Sequence, residues 1–175
     1  MKKIKKIFCF VICLLLIASS VAEANSRAKI KNIVALFTRV NPALSSSRAT
    51  DYAKVIIKAS EKYKQDPYII AAMIVHESTV NEKAISKGGD YGLMQVRWKV
   101  HAKAIKQQYP SVKNAKDFLS PRFNIMFGTR ILSECMNKAG NDTRKGIQRY
   151  SGGNTKLASK VINTANDLRA KDKNR

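Results

Sequence analysis

The sequence predicts a mainly α-helical protein with a single folded domain. Apolar residues recur at helical spacing through most of the chain, an Asp-Pro pair at Asp66 opens a long apolar run, and strand patterns are sparse. No Pro-, Gly- or Ser-rich linker and no internal repeat divides the 175 residues. A chain of about 150 folded residues is long enough to bury a substantial core.

The first 24 residues have the pattern of a removable secretory signal. Four lysines precede the apolar stretch from Ile7 to Ala18, and Ala22-Glu23-Ala24 supplies the small-x-small cleavage pattern. This stretch is shorter than the roughly 20 residues that span a bilayer, which favours cleavage over the alternative of an uncleaved anchor. We therefore expect an exported protein, periplasmic or extracellular, with no transmembrane span after signal removal.

The chain is strongly basic, with a formal net charge of +21. Removing the signal takes away four lysines and one glutamate and leaves +18. Such a charge favours an anionic partner, and export makes an envelope polymer or membrane surface a better candidate than a specific nucleic acid. The alternative is that the lysines only maintain solubility. Cys135 alone remains of three cysteines, so we expect no internal disulfide. We also expect a monomer.

The N-terminal part of the exported chain, residues 25–50, is predicted to be one amphipathic helix and a loop. The helix has an apolar stripe and ends near Asn41-Pro42, and the segment "SSSRAT" from Ser45 then indicates a loop. Thr50 or Asp51 can cap a second helix, which starts a main domain over residues 51–170. The apolar stripe of this second helix comprises Tyr52, Val55, Ile56, Ala59 and Tyr63.

A central helix is predicted to follow Asp66-Pro67. Aspartate can accept from the free amides of a first turn, and proline lacks the N–H that would have no partner there. Every residue from Tyr68 to Val75 is apolar or aromatic, so this helix should be buried on nearly all sides. The glycine-rich residues 81–92 then indicate an irregular loop or a small hairpin.

Three further helices are predicted in the second half of the chain. One starts at Ser120-Pro121 and is closed by Gly140, and a short one runs from Thr143 to Tyr150 before the turn "YSGGN". The last helix should precede a frayed charged tail over residues 171–175. Its apolar positions are Leu157, Val161, Ala165 and Leu168.

Glu77 is the first candidate for chemistry, because it closes the apolar central helix. Burial should raise its pKa, and the helix dipole acts in the same direction with a smaller effect. A protonated glutamate can act as a general acid at a glycosidic bond. The competing interpretation is a solvated helix end. His76-Glu77 is also half of a zinc-protease motif, but Val80 stands where the second histidine would be, so we expect no metal and a packing role for His76.

Four segments together resemble the soluble lytic transglycosylase (SLT-domain) family. They are Glu77-Ser78, "SKGGDYGLMQV" from Ser86, "PRFNIMFGTRIL" from Pro121 and "YSGG" from Tyr150, within a resemblance that covers about residues 50–165. The resemblance implies a lysozyme-like fold. A small exported chain of this kind is similar to the members that accompany conjugation, secretion and pilus machines, or phage.

The resemblance also implies roles for individual residues. Glu77 would be the sole catalytic acid and base, with Ser78 hydrogen-bonding near it and the Tyr150 hydroxyl close to the reacting sugar. The residues that would line the glycan cleft are Tyr91, Gly92, Leu93, Met94 and Gln95, and those that would support it are Asn124 and Gly128. For Leu93 and Met94, core packing is the alternative. Ser151 and Arg97-Trp98 depart from the family pattern, and Trp98 could stack on a sugar or belong to the core.

The reaction implied is cleavage of the bond between N-acetylmuramic acid and N-acetylglucosamine in peptidoglycan, with 1,6-anhydro ends and no cofactor. One alternative is a lysozyme-type hydrolase in which Asp90 or Glu82 activates water. A second is a non-catalytic peptidoglycan-binding assembly protein, and a third is a cationic membrane-disrupting protein.

Overall fold

The computed structural model describes residues 23–173. Most of the expected signal lies outside this range, and only its last two residues, Glu23 and Ala24, are described, at the start of the first helix. The last two residues of the expected tail also lie outside the range. The described part is mainly helical and contains one small sheet, as the sequence predicts. Among residues 23–173, no helix combines the length and apolarity that a bilayer crossing requires.

Seven helices and two short strands follow one another along the described chain. The first helix, α1, covers residues 23–40. The later elements are α2 (Ser46–Tyr63), α3 (Pro67–Ser78), β1 (Asp90–Tyr91), β2 (Val96–Arg97), α4 (Trp98–Gln108), a 3-10 turn (Asp117–Leu119), α5 (Pro121–Lys138), α6 (Thr143–Tyr150) and α7 (Thr155–Lys173).

Three expectations about secondary structure need correction. The loop expected from Ser45 to Thr50 is mostly helix, because the Ser45 side chain accepts from the Arg48 amide and caps α2 one residue before Ser46. The division expected at residue 50 therefore falls inside α2. The charged tail does not fray at residue 171, since α7 continues to Lys173. Helix α4 has no counterpart among the predicted elements.

Helix α3 is the buried centre of the fold, as predicted. Asp66 accepts from the Tyr68 amide at 2.7 Å, Pro67 occupies the first turn, and every residue from Tyr68 to Ile74 is buried. Helices α2 and α7 pack against it. The second Asp66 carboxylate oxygen accepts two bonds from the Arg169 guanidinium at 3.0 and 2.7 Å, which ties the start of α3 to α7. Helix α3, which carries Glu77 near its C-terminal end, is thereby anchored to α2 and α7.

A small hairpin follows α3 and packs on α5. Strand β1 pairs antiparallel with β2, so that Asp90 is opposite Arg97 and Tyr91 is opposite Val96. The hairpin lies over the first turns of α5, where the Asn124 side chain bonds to it twice. The predicted hairpin region therefore extends to Arg97, beyond the range of residues 81–92 that the glycines indicate.

Candidate active site

A cleft of about 460 Å³ opens beside Glu77, at the end of α3. Residues from the hairpin, α4, α5, α6 and the start of α7 line it, which makes it the point where most elements of the fold meet. Its polar lining residues are Glu77, Ser86, Asp90, Gln95, Arg97, His101, Arg149, Tyr150, Ser151 and Asn154. Its apolar lining residues are Val96, Val100, Ile131 and Leu157.

The carboxyl group of Glu77 is only partly exposed. Burial raises its pKa to about 7, and the negative charge of Asp90 acts in the same direction. The sequence predicts a raised pKa for Glu77, and the structure gives a shift in that direction. The charge of Asp90 is a second cause, which the sequence did not indicate. Near neutral pH the side chain divides its time between the acid and the carboxylate, so it can both donate and accept a proton.

Asp90 remains ionised in the same cleft. Its two carboxylate oxygens accept from Nε and Nη2 of Arg97, at 2.7 and 3.0 Å, and the Ser86 hydroxyl donates to it at 2.9 Å. The hydrogen bond to Arg97 is the main reason that the Asp90 pKa is lowered. The two carboxyl groups of the cleft therefore have pKa values shifted in opposite directions, an arrangement typical of acid and base groups in enzymes.

The hydroxyl of Tyr150 connects α6 to the hairpin. It donates to the Met94 carbonyl at 2.7 Å. Burial raises the Tyr150 pKa well above its ordinary value, and the charge of Glu77 contributes in the same direction. The phenol is therefore neutral, and its oxygen retains lone pairs that can accept from a ligand or from the protonated Glu77. Its position in the cleft agrees with the expectation for this residue, while its role in binding or catalysis stays a prediction.

Gln95 lines the cleft from the hairpin loop in a left-handed conformation, with φ of +46°. Its amide nitrogen donates to the carbonyls of Gly92 and Ala84, at 2.9 and 3.2 Å. These bonds fix the side chain against the loop, which favours a preorganised contact with a ligand. Among the residues expected to line a glycan cleft from the motif at 91–95, Gln95 is the one that lines it.

Leu93 and Met94 do not line the cleft, because both side chains are completely buried. Met94 packs on Gly128 of α5, where a Cβ atom would lie 2.7 Å from both Cβ and Sδ of Met94. The expectation that these side chains offer a surface to a sugar is wrong, and the alternative of core packing is the one found. Met94 contributes to the site through its main-chain carbonyl instead.

Asn124 of α5 supports the hairpin, and Gly92, which was expected to line the cleft, lies against Asn124 instead. Asn124 Nδ2 donates to the Tyr91 carbonyl at 2.7 Å, and Oδ1 accepts from the Met94 amide at 2.8 Å. Gly92 has φ of +75°, and a Cβ there would be 2.5 Å from Asn124 Nδ2. Only glycine fits this position, because both its backbone conformation and the nearby amide exclude a side chain.

Three other residues lie apart from the cleft. The buried Ser78 hydroxyl donates to the Ile74 carbonyl at 3.0 Å within its own helix, and Tyr91 packs against the core. Contact of either residue with a glycan stays a prediction that the geometry does not favour. Trp98 packs on Phe118 with ring centroids 6.0 Å apart, which is the core role left open by the sequence.

His76, considered as a metal ligand, and Glu82, considered as a catalytic base, do not line the cleft. His76 Nε2 lies 2.9 Å from the Thr164 hydroxyl of α7, and burial lowers its pKa, as suits a packing contact. No cluster of three or more His, Cys, Asp or Glu side chains in residues 23–173 could hold a metal ion. Glu82 accepts from Arg48 at 2.7 Å and faces different grooves from Glu77.

Sequence reasoning missed several residues of the cleft wall. Val100 and His101 come from α4, which was not predicted, and Ile131 comes from α5. Arg149 directly precedes Tyr150, so its position beside a motif residue could have indicated that it lines the cleft. Burial lowers the pKa of His101, so this side chain is neutral near pH 7.

Comparisons with known proteins agree with this architecture. An endo-type membrane-bound lytic murein transglycosylase A from Klebsiella pneumoniae subsp. pneumoniae is 32% identical over 98 residues, which are 53% of this chain and 47% of that protein. The protein of the same description from Klebsiella pneumoniae strain 342 gives the same values. The chain therefore spans about half the length of these curated relatives.

The fold has a solved counterpart in an inactive mutant of the lytic transglycosylase Slt from Pseudomonas aeruginosa. The TM-score is 0.52 at 17% identity, over 68% of this chain and 22% of that one, which supports the expected lysozyme-like fold. The family model described as "Transglycosylase SLT domain" matches residues 54–173, more than half of the chain and all of its cleft. The chain belongs to the transglycosylase SLT-domain family, with its lysozyme-like, mainly α fold.

Proposed function

We propose that the chain is a peptidoglycan lytic transglycosylase. The observation that carries the proposal is Glu77, a carboxyl group with a pKa of about 7 in an open cleft beside Tyr150 and Gln95. A single group of this kind can serve both steps of a non-hydrolytic cleavage. Family membership supports the same activity.

In the proposed reaction, protonated Glu77 donates its proton to the glycosidic oxygen as the bond from C1 of N-acetylmuramic acid to N-acetylglucosamine breaks. The resulting carboxylate then accepts the proton of the C6 hydroxyl, while O6 forms a bond to C1. The product has a 1,6-anhydro end, Glu77 is again protonated, and no water is consumed. Gln95 and Tyr150 would orient the sugar, and the scaffold requires no metal for these steps.

A lysozyme-type hydrolase is the second candidate, because Asp90 lines the same cleft as an ionised carboxylate. Two separated carboxyl groups can hydrolyse a glycosidic bond if one activates water. The pairing of Asp90 with Arg97 favours the first proposal, since both carboxylate oxygens already accept charged hydrogen bonds. Glu82 is not a candidate for this role, because it faces other grooves.

Mass spectrometry of digested peptidoglycan tests the proposal. Wild type should release anhydro ends, Glu77→Gln should lose activity, and the exposed Glu61→Gln on α2 should retain it. Reducing ends would instead establish hydrolysis. Equal activity of wild type and Glu77→Gln would remove the enzyme proposal and leave a wall-binding or membrane-disrupting protein.

The proposal extends to a cellular setting that the sequence supports. The signal pattern over residues 1–24 supports export to the periplasm or the outside of the cell. There a monomeric chain would open the wall locally for a conjugation, secretion or pilus machine, or for phage. Fractionation of cells that express the full chain would test this, since recovery of uncleaved protein from the cytoplasm would contradict export.

A further inference from the structure

A second, open groove continues the Glu77 cleft around the end of α6. Its lining residues are Lys145, Gln148, Arg149, Gly152 and Gly153, which we call the cationic shelf. Arg149 and Gly152 line both the shelf and the cleft, so the two grooves adjoin each other. A ligand in the cleft that extends past Arg149 would therefore meet the shelf.

Two of the five residues that line the shelf, Gly152 and Gly153, present only main chain to it. Gly152 and Gly153 have φ of +64° and +96°, and no atom lies within 4 Å of a Cβ built at either position. Residues with side chains rarely adopt these conformations, so glycine keeps this part of the shelf open. The backbone is thus accessible to a ligand at this point.

Arg149 gives the shelf a positive charge that no acidic side chain of residues 23–173 pairs with. Arg149 has no ion pair or hydrogen bond to another side chain in residues 23–173, and Lys145 is 3.8 Å from Asp142 in an exposed pair. In the adjoining cleft, the charge of Asp90 is already balanced by Arg97. An anion is therefore the ligand chemistry that the shelf favours.

We propose that the cationic shelf binds a carboxylate carried on the lactyl side of N-acetylmuramic acid while the sugar occupies the Glu77 cleft. This inference rests on the proposed function and adds a substrate contact to it. A guanidinium suits the task because it can bind a carboxylate through two parallel hydrogen bonds, with Lys145 as a second cation. The carboxylate is either that of an unsubstituted lactyl group or that of a peptide stem.

Binding measurements in the Glu77→Gln background test the shelf without turnover. The three probes are peptide-bearing glycan fragments, the same fragments with stems removed by an amidase, and chitotetraose, which has no carboxylate. We expect Arg149→Gln to weaken binding of a carboxylate-bearing probe about 2- to 5-fold, and Arg149→Gln with Lys145→Gln about 5- to 20-fold. Weakening of the stem-bearing probe alone identifies the stem, and weakening of the stem-free probe alone identifies the lactyl carboxylate that the amidase exposes. Weakening of both shows that the shelf accepts either carboxylate.

The matched control is Arg39→Gln, which removes an exposed arginine of α1 far from the cleft lining. It should bind all three probes as the parent does. Equal weakening for chitotetraose, or no weakening in the double variant, would overturn the proposal. A wild-type chain that binds the fragments and leaves peptidoglycan uncut would overturn the proposed function alone.

Discussion

The Tyr150 hydroxyl donates to the Met94 carbonyl at 2.7 Å, and this bond joins α6 to the hairpin loop beside the cleft. We expect Tyr150→Phe to lose about 1 kcal/mol of stability, because a carbonyl then loses its partner. Wall-cleaving activity should fall about 10- to 100-fold, because small displacements of a cleft wall are costly. Tyr63→Phe is the control, since its hydroxyl accepts from Gln108 outside the cleft. Equal activity losses in the two variants would contradict a specific role for Tyr150.

Gly92→Ala should damage the hairpin more than Gly89→Ala. Both glycines have positive φ, +75° and +79°, so alanine strains both backbones by about 1–2 kcal/mol. Only at Gly92 would the new Cβ meet Asn124, so a further 1–3 kcal/mol, roughly, is expected there. Urea unfolding of both variants measures the difference. Equal destabilisation would mean that Asn124 moves aside without cost.

The alkaline limb of activity should follow the pKa of Glu77, which is about 7. In the proposed reaction the acid form protonates the leaving oxygen, so kcat/KM should fall as pH rises through this value. Asp90→Asn removes a charge that raises this pKa, so the limb should move to lower pH. Arg97→Gln removes the cation that balances Asp90, so the limb should move to higher pH. Steady-state rates from pH 5 to 9 test both shifts, and complete loss of activity in Asp90→Asn would favour the hydrolase.

Stability should also depend on Glu77. The folded pKa is about 7 against an ordinary value of 4.5, so the folded state binds more protons between these values. Its contribution to stability is present at pH 4 and is lost as pH rises past 7. Glu77→Gln removes this dependence and should be more stable than wild type at pH 8.5 by about 1–3 kcal/mol. Denaturant titrations at pH 5 and 8.5 measure the difference in unfolding free energy between Glu77→Gln and wild type. If this difference did not grow from pH 5 to pH 8.5, the Glu77 carboxylate would be solvated in the folded protein.

The central helix could be predicted from sequence because its signals are local. Asp66 and Pro67 define the start, and an uninterrupted apolar run has no stable arrangement except burial. The start of α2 was missed because serines favour loops and caps alike, and Ser45 is a cap. Helix α4 was missed because its sequence has one fully buried residue, Ile105, and a mostly polar surface.

The cleft was only partly predictable, because its lining depends on contacts between distant segments. Glu77 and Tyr150 could be selected from motifs. The burial of Met94 depends on Gly128, 34 positions later, where the absence of a side chain leaves room for it. The second influence on the Glu77 pKa depends on how the hairpin places Asp90, which no local pattern expresses.

The two hydrogen bonds of Asn124 have a consequence for binding energy. The Asn124 side chain bonds to the Tyr91 carbonyl on one side of the hairpin loop and to the Met94 main-chain amide on the other, which ties the loop to α5. Gln95 is therefore carried by a loop that is anchored to a helix. If the proposed function holds, a glycan entering the cleft would spend little free energy on ordering this wall, which would leave more of its binding energy for distorting the sugar at Glu77.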